Sequence, residues 1–412
     1  MAEHVGSGSA KPGPRHSSCL NALAIAFNET CNGESWYTST KQLQLASLEF
    51  CVACRTYPTL HLKVDQQTPR WLLATTDAPA AHPKRFCRTR VQRLRARRVT
   101  WNMTTAAELR EAIPAMAGVD YLEFGGDFDG SLDDVAWPQR LKTIAFCHVS
   151  PFNQPLELVK WPPCLENIFL GKNFNHPIER ATFPPSLQQL MFDSCSQFNQ
   201  TIAGDILPRL LQQLHLGGSF NQPIDEVVWP PSLQRLKFGE YFNQPIERAK
   251  FPASLRHLSF GWVFNRPIEA VSWPDSLHRL LFGSEFNQPV ENVRWPASLR
   301  ELSLGWCRDI DDNRMIIYSK FNQRIGSSIW PSSLRRLTLA GDFRQSLQGL
   351  GTWMPSLEEL RVLHWQFDSQ TDSLLCGIQW PKGLRELTVF RQSNLDGVEV
   401  PSTVMVYRPA LA

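Results

Sequence analysis

The chain has 412 residues, 42% hydrophobic and 11% aromatic, and 42 Lys and Arg against 39 Asp and Glu leave a formal net charge of +3. That composition argues against a disordered chain, and a charge this close to balance selects no partner by itself. No run approaches the roughly 18 apolar residues that a membrane span needs, so no membrane partner is expected.

Residues 1–19 are rich in Gly, Ser and Pro and are expected to form a disordered tail. The apolar run 20–27 is short and follows a polar leader containing Glu3, which does not read as a signal peptide. Residues 20–118 are expected to form a small N-terminal region, irregular or partly helical, with a short helix over 41–50. Cys51 and Cys54 make a lone CxxC with no second half at zinc-finger spacing. The ten cysteines are irregularly spaced and the chain is too long to need staples, which points to a reducing compartment, the cytoplasm or the nucleus. Residues 84–98 carry eight Lys or Arg and no acid, as a solvated linker, a phosphate-contacting tract or a nuclear import signal would. Thr104 or Thr105 then caps a predicted helix through Glu108 to Met116.

From there the chain repeats. Phe128, Phe152, Phe174, Phe198, Phe220, Phe242, Phe264, Phe286, Phe321, Phe343 and Phe367 open similar segments, at six intervals of 22 residues, three of 24 and one of 35. A fixed period of this size signals stacked units that bury their apolar stripes against one another. Residues 120–408 are therefore expected to form a mainly β solenoid of about twelve rungs, with Tyr121 to Gly125 as a worn first rung and a fading copy over 390–407.

Within one copy, Leu233-Gln-Arg-Leu-Lys-Phe238 alternates as a strand, with Leu236 and Phe238 inward and Arg235 and Lys237 on the open face. Gly239 permits a turn that most residues resist. Phe242 is expected to stack in a row along the core. Asn follows the leading Phe in eight of eleven copies and is expected to form a ladder that satisfies turn backbone groups of neighbouring rungs. Pro245 holds the next limb extended, and pairs such as Trp229-Pro230 and Phe251-Pro252 aim an aromatic ring inward at a corner.

These features resemble the FNIP repeat family, a variant of leucine-rich repeats named for its Phe-Asn-x-Pro core. The resemblance implies a leucine-rich-repeat-like solenoid used for protein recognition, in some members fused to an F-box or a kinase domain. This sequence departs from ordinary leucine-rich repeats in placing its Asn after a Phe. Two prolines per copy also leave an extended back rather than a helical one.

Catalysis leaves little trace. The ten histidines show no HxxxH, HExxH or Cys/His pairing, and neither a Gly-rich phosphate loop nor GxSxG occurs. The recurring Glu179, Glu247, Glu269 and Glu291 read as a solvated column. No enzyme, cofactor or metal is expected. The residues before the second strand Leu run Thr143, Asn167, Gln189, Gln213, Arg235, His257, Arg279, Glu301, Arg336, Glu359 and Glu386, basic in the middle and acidic later. Tyr241, Trp262 and Trp306 follow their strands as large aromatics. Arg235, Lys237, Tyr241, His257, Trp262, Arg279 and Trp306 are thus the partner-binding candidates, since aromatics beside cations make hot spots. The expected function is a non-catalytic scaffold or adaptor for a protein partner, acidic or phosphorylated. The alternatives are a nucleic-acid-associated protein using 84–98, or a substrate adaptor of a ubiquitin ligase. The excess residues around 308–314 are expected to form a loop on one edge.

Overall fold

The computed structural model describes residues 61–64, 97–305, 319–326, 329–364, 375, 377–389, 395 and 398–407. The expected tail, the helix over 41–50, Cys51, Cys54, most of the basic tract, Trp306 and the insertion after it lie outside the described residues.

Short strands follow one another along the chain, at the repeat period from β2 to β11. They begin with β1 (His61–Val64), β2 (Arg98–Trp101), β3 (Tyr121–Phe124), β4 (Thr143–Phe146) and β5 (Asn167–Leu170). The middle holds β6 (Gln189–Phe192), β7 (Gln213–Leu216), β8 (Arg235–Lys237), β9 (His257–Ser259) and β10 (Arg279–Phe282). The series closes with β11 (Glu301–Leu304), β12 (Arg336–Gly341), β13 (Glu359–His364), β14 (Glu386–Val389) and β15 (Met405–Tyr407). All lie in one 15-stranded sheet whose spatial order is the chain order. Each strand pairs in parallel with the next, as at β7 to β8 and β8 to β9. A sheet that is parallel and sequential throughout is a coil, one strand per turn. The chain is a parallel β solenoid.

The sheet starts earlier than residue 120. β2 pairs with β3, Val99 opposite Leu122 and Trp101 opposite Phe124, and β1 pairs with β2. Between β2 and β3 the chain forms helix α1 (Ala106–Ala112) and a 3-10 turn (Ile113–Met116). Thr105 is its N-cap, accepting the Glu108 N–H at 3.4 Å while donating to the Glu108 carboxylate at 2.9 Å. A four-residue helix α2 (Leu350–Trp353) completes the helices of the described residues.

The rest of each rung is extended chain and turns, as two prolines per copy dictate. The turn into each strand is closed by backbone bonds such as Leu233 N–H to Pro230 and Leu255 N–H to Pro252, both 3.0 Å. Inside, the leading phenylalanines form one column. Phe220, Phe242 and Phe264 are fully buried, with successive ring centroids 6.1 Å apart and ring planes nearly parallel at 11° and 5°. The column runs from Phe128 to Phe343 without a break. A strand phenylalanine backs it where one exists: Phe238 lies 4.1 Å from Phe242 and Phe260 lies 4.2 Å from Phe264. A third column holds the aromatics that precede proline, Trp229 stacking on Phe251 and Phe251 on Trp273. Three of its indoles, Trp137, Trp229 and Trp273, meet a strand phenylalanine edge to face.

Asn forms the expected ladder, through its oxygen. Oδ1 of Asn221 accepts the backbone N–H of Asn243 at 2.9 Å, and Oδ1 of Asn243 accepts that of Asn265 at 3.0 Å. The following Gln bonds the same residue, Gln244 Nε2 reaching the Asn221 carbonyl at 2.9 Å. These asparagines are half-exposed rather than buried, because the ladder sits on the outer rim of the Phe column. Ser continues the logic at the next corner, with Ser254 donating to the Leu233 carbonyl at 2.8 Å and Ser276 to Leu255 at 2.7 Å.

Gly239 is required for a different reason from the one expected. Its backbone is not in the left-handed region. A Cβ there would sit 1.4 Å from the Gly217 carbonyl oxygen, and one on Gly261 would sit 1.8 Å from that of Gly239. Close rung-to-rung approach, not turn strain, excludes a side chain.

Candidate strand-face binding site

Alternation along each strand puts its first and third residues on the open face. Registration makes those positions continuous rows. Gln213 lies opposite Arg235, Arg235 opposite His257, His257 opposite Arg279 and Arg279 opposite Glu301. In the second row His215 faces Lys237 and Lys237 faces Ser259. The structure therefore brings Arg235, Lys237, His257 and Arg279 together on three adjacent strands.

They are not equivalent. Arg279 Nε lies 3.0 Å from Glu301 Oε1, and Glu301 Oε2 lies 3.3 Å from Arg336. Arg336 continues to Glu359 at 3.0 Å, and Glu359 to Arg361. Three arginines and two glutamates from β10 to β13 thus pair with one another in a chain. The side chains of Arg235 and Lys237 have no ion-pair or hydrogen-bond partner among the described residues, and both residues are exposed. Leu236 between them is buried, which fixes both cations outward.

The flanking histidines follow from this field. His215 is pushed down to about 4, first by burial and then by the Lys237 ammonium, with Asp193 opposing. His257 is also held below the ordinary imidazole value, by burial, Arg235 and Arg279 in that order, with Glu301 acting the other way. Both imidazoles are neutral near pH 7, so His257 spaces Arg235 from Arg279, and His215 borders Lys237, without adding like charge.

Beyond the strand ends, Tyr241 is 58% exposed and Trp262 is 40% exposed, one on each of two neighbouring rungs. Rings left this open are not simply packing on the next turn. At the other end of the sheet, Arg98 Nη2 lies 2.8 Å from Glu123 and its guanidinium carbon sits 4.2 Å over the Tyr121 ring. The last cation of the basic tract is therefore occupied within the sheet.

The ion-pair chain was in the row of residue types but needed registration and side-chain reach to be seen. A second cluster, His148, Asp193 and Cys195, escaped sequence reading altogether. Its signal was the period itself, which puts the three within two rungs of each other. Among the described residues, no helix is long and apolar enough to cross a membrane.

The FNIP Repeat family matches residues 152–195, 198–241, 220–262, 242–280 and 264–307. Among solved structures, the chain is similar to CroV588, described as a novel circular LRR protein, at 28% identity and a TM-score of 0.54. That match covers 76% of this chain and 49% of the other, so the chain spans about half the length of that protein. It is also similar to TLR13 in its complex with ssRNA13, at 14% identity and a TM-score of 0.49 over 82% of this chain and 56% of that one. Similarity to YopM from Yersinia enterocolitica WA-314 is 18% in identity, with a TM-score of 0.37 over 72% and 60% of the two chains. None of the curated proteins matches this chain.

Proposed function

Residues 152–307 are FNIP repeats in a leucine-rich-repeat-like solenoid, and on that premise we propose that the chain is a non-catalytic scaffold that captures an acidic or phosphorylated protein segment on its strand face. One observation carries this reading. The side chains of Arg235 and Lys237 stand exposed and unpartnered among the described residues, while each arginine named from β10 to β13 is ion-paired within the sheet. Two fixed cations in register, with Tyr241 and Trp262 at the rim, suit a partner that supplies negative charge and an apolar anchor. Arg279 plays a supporting part, holding Glu301 away from the cations on β8. Catalysis finds no footing on this face, where His257 lies between Arg235 and Arg279 and His215 between Met191 and Lys237.

An array of acidic and phosphorylated peptides, probed with the full chain, tests the reading. Binding is expected to weaken with salt and to fall at least tenfold, about 1.4 kcal/mol, in Arg235→Glu/Lys237→Glu. Deleting 84–98 is expected to leave it unchanged. Peptide binding that survives the charge reversal and is lost with the tract would put recognition in the basic segment instead.

A further inference from the structure

We propose that His148, Asp193 and Cys195 form a site for a zinc-class divalent metal on the turns that follow the strands. His148 lies just past β4, and Asp193 and Cys195 lie just past β6, two rungs on. Nδ1 of His148 is 2.9 Å from Oδ2 of Asp193, and the imidazole, carboxylate and thiol ligand atoms all lie within 4.8 Å of one another.

The stacking explains why they meet. The position after the strand is Cys147, then Gly171, then Asp193 on three successive rungs. Gly171 holds this position on the middle rung, and the His148 side chain reaches past that rung to the Asp193 carboxylate. The turns are tied by backbone bonds, Lys172 N–H to His148 at 3.2 Å and Gln197 N–H to Lys172 at 2.7 Å. Asp193 is oriented as well: its Oδ1 accepts the Cys195 N–H at 2.8 Å, leaving Oδ2 for His148.

The donor set selects the ion. Around a tetrahedral zinc, ligand bonds of about 2.0–2.3 Å put the ligand atoms about 3.3–3.8 Å apart, so the 2.9 Å His148–Asp193 contact would open slightly and the exposed Cys195 thiol would close in. A thiolate disfavours calcium and magnesium, and the imidazole–carboxylate–thiolate combination favours zinc. Thiolate and carboxylate together balance a divalent charge. Three protein ligands leave the fourth position for water or for a donor from a partner. A surface His–Asp pair alone is worth about 0–1 kcal/mol and gives no reason for the thiol beside it.

The test is a Co2+ titration of the metal-depleted full chain, followed by thiolate-to-metal charge-transfer absorption and reversed by Zn2+. Cys195→Ser is expected to bind one equivalent fewer than the unaltered chain. His148→Gln and Asp193→Asn are each expected to weaken that equivalent at least tenfold, while Cys164→Ser, an exposed thiol on another rung, changes nothing. Circular dichroism on each variant separates loss of ligand from loss of fold. Equal stoichiometry in Cys195→Ser, or unchanged affinity in both His148→Gln and Asp193→Asn, would overturn the site.

Discussion

The turn side of the solenoid and its strand face are built from the same rungs but follow opposite rules. On the turn side, Phe242 stacks between Phe220 and Phe264, and Asn243 bonds Asn221 and Asn265, so each residue meets its own kind. On the strand face, β8 carries two unpartnered cations while β10 to β13 alternate Arg and Glu. A parallel, in-register stack explains the difference. It makes like meet like, which adds up for rings and amides and is destabilising for charges. Rings and amides can therefore recur in every copy. Charge must alternate in sign, be spaced by neutral side chains, or be met by a partner.

The turn side should break hardest. Phe242→Ala removes a fully buried ring stacked on both sides and is expected to cost about 3–5 kcal/mol by chemical denaturation. An effect no larger than that of an exposed site would mean the inward face is misassigned.

The pH dependence comes next. The imidazole of His215 binds its proton less readily folded than unfolded, so the unfolded chain takes up more protons between about pH 4 and the ordinary histidine value of 6.5. Stability is expected to fall through that window as pH drops, by on the order of 2 kcal/mol after solvent screening. His215→Gln should flatten that part of the curve, and an unchanged slope would refute the assignment. Asn243→Ala leaves the Asn265 N–H without its acceptor and should cost about 1–2 kcal/mol, measured the same way.

Glu301→Gln sharpens the contrast from the other side. It unties Arg279 and Arg336 at a stability cost within about 1 kcal/mol, as for exposed pairs. Because it uncovers Arg279, two strands from β8, while Arg336 keeps Glu359, an acidic peptide should bind it more tightly in a salt-dependent titration. Lys237→Ala, which removes no contact, should lie within about 0.5 kcal/mol of the unaltered stability.

How much of this was legible follows from what the period controls. Phe242, Asn243 and Leu236 recur at fixed offsets, so the Phe column, the Asn ladder and the strand face could be read directly, and registration kept the expected rows. β1 and β2 could not, because their rungs carry no Phe-Asn pair and enter the sheet through β-pairing alone. Gly239 was singled out, but its reason lay in the Gly217 carbonyl of another rung. Arg279 looked like a third free cation because its pairing depends on Glu301, 22 residues on and adjacent only once the strands are paired. His148 and Asp193 are 45 residues apart and meet across Gly171, a contact between rungs that no motif within one rung records.

Binding and stability are expected to separate on β8. The decisive measurement is the affinity of the best acidic or phosphorylated peptide for Arg235→Ala/Lys237→Ala, with denaturation of the same variant recorded alongside. Binding at least tenfold weaker, with stability changed by no more than about 1 kcal/mol, is the predicted result. Unchanged affinity in a variant that folds as stably as the unaltered chain would contradict it.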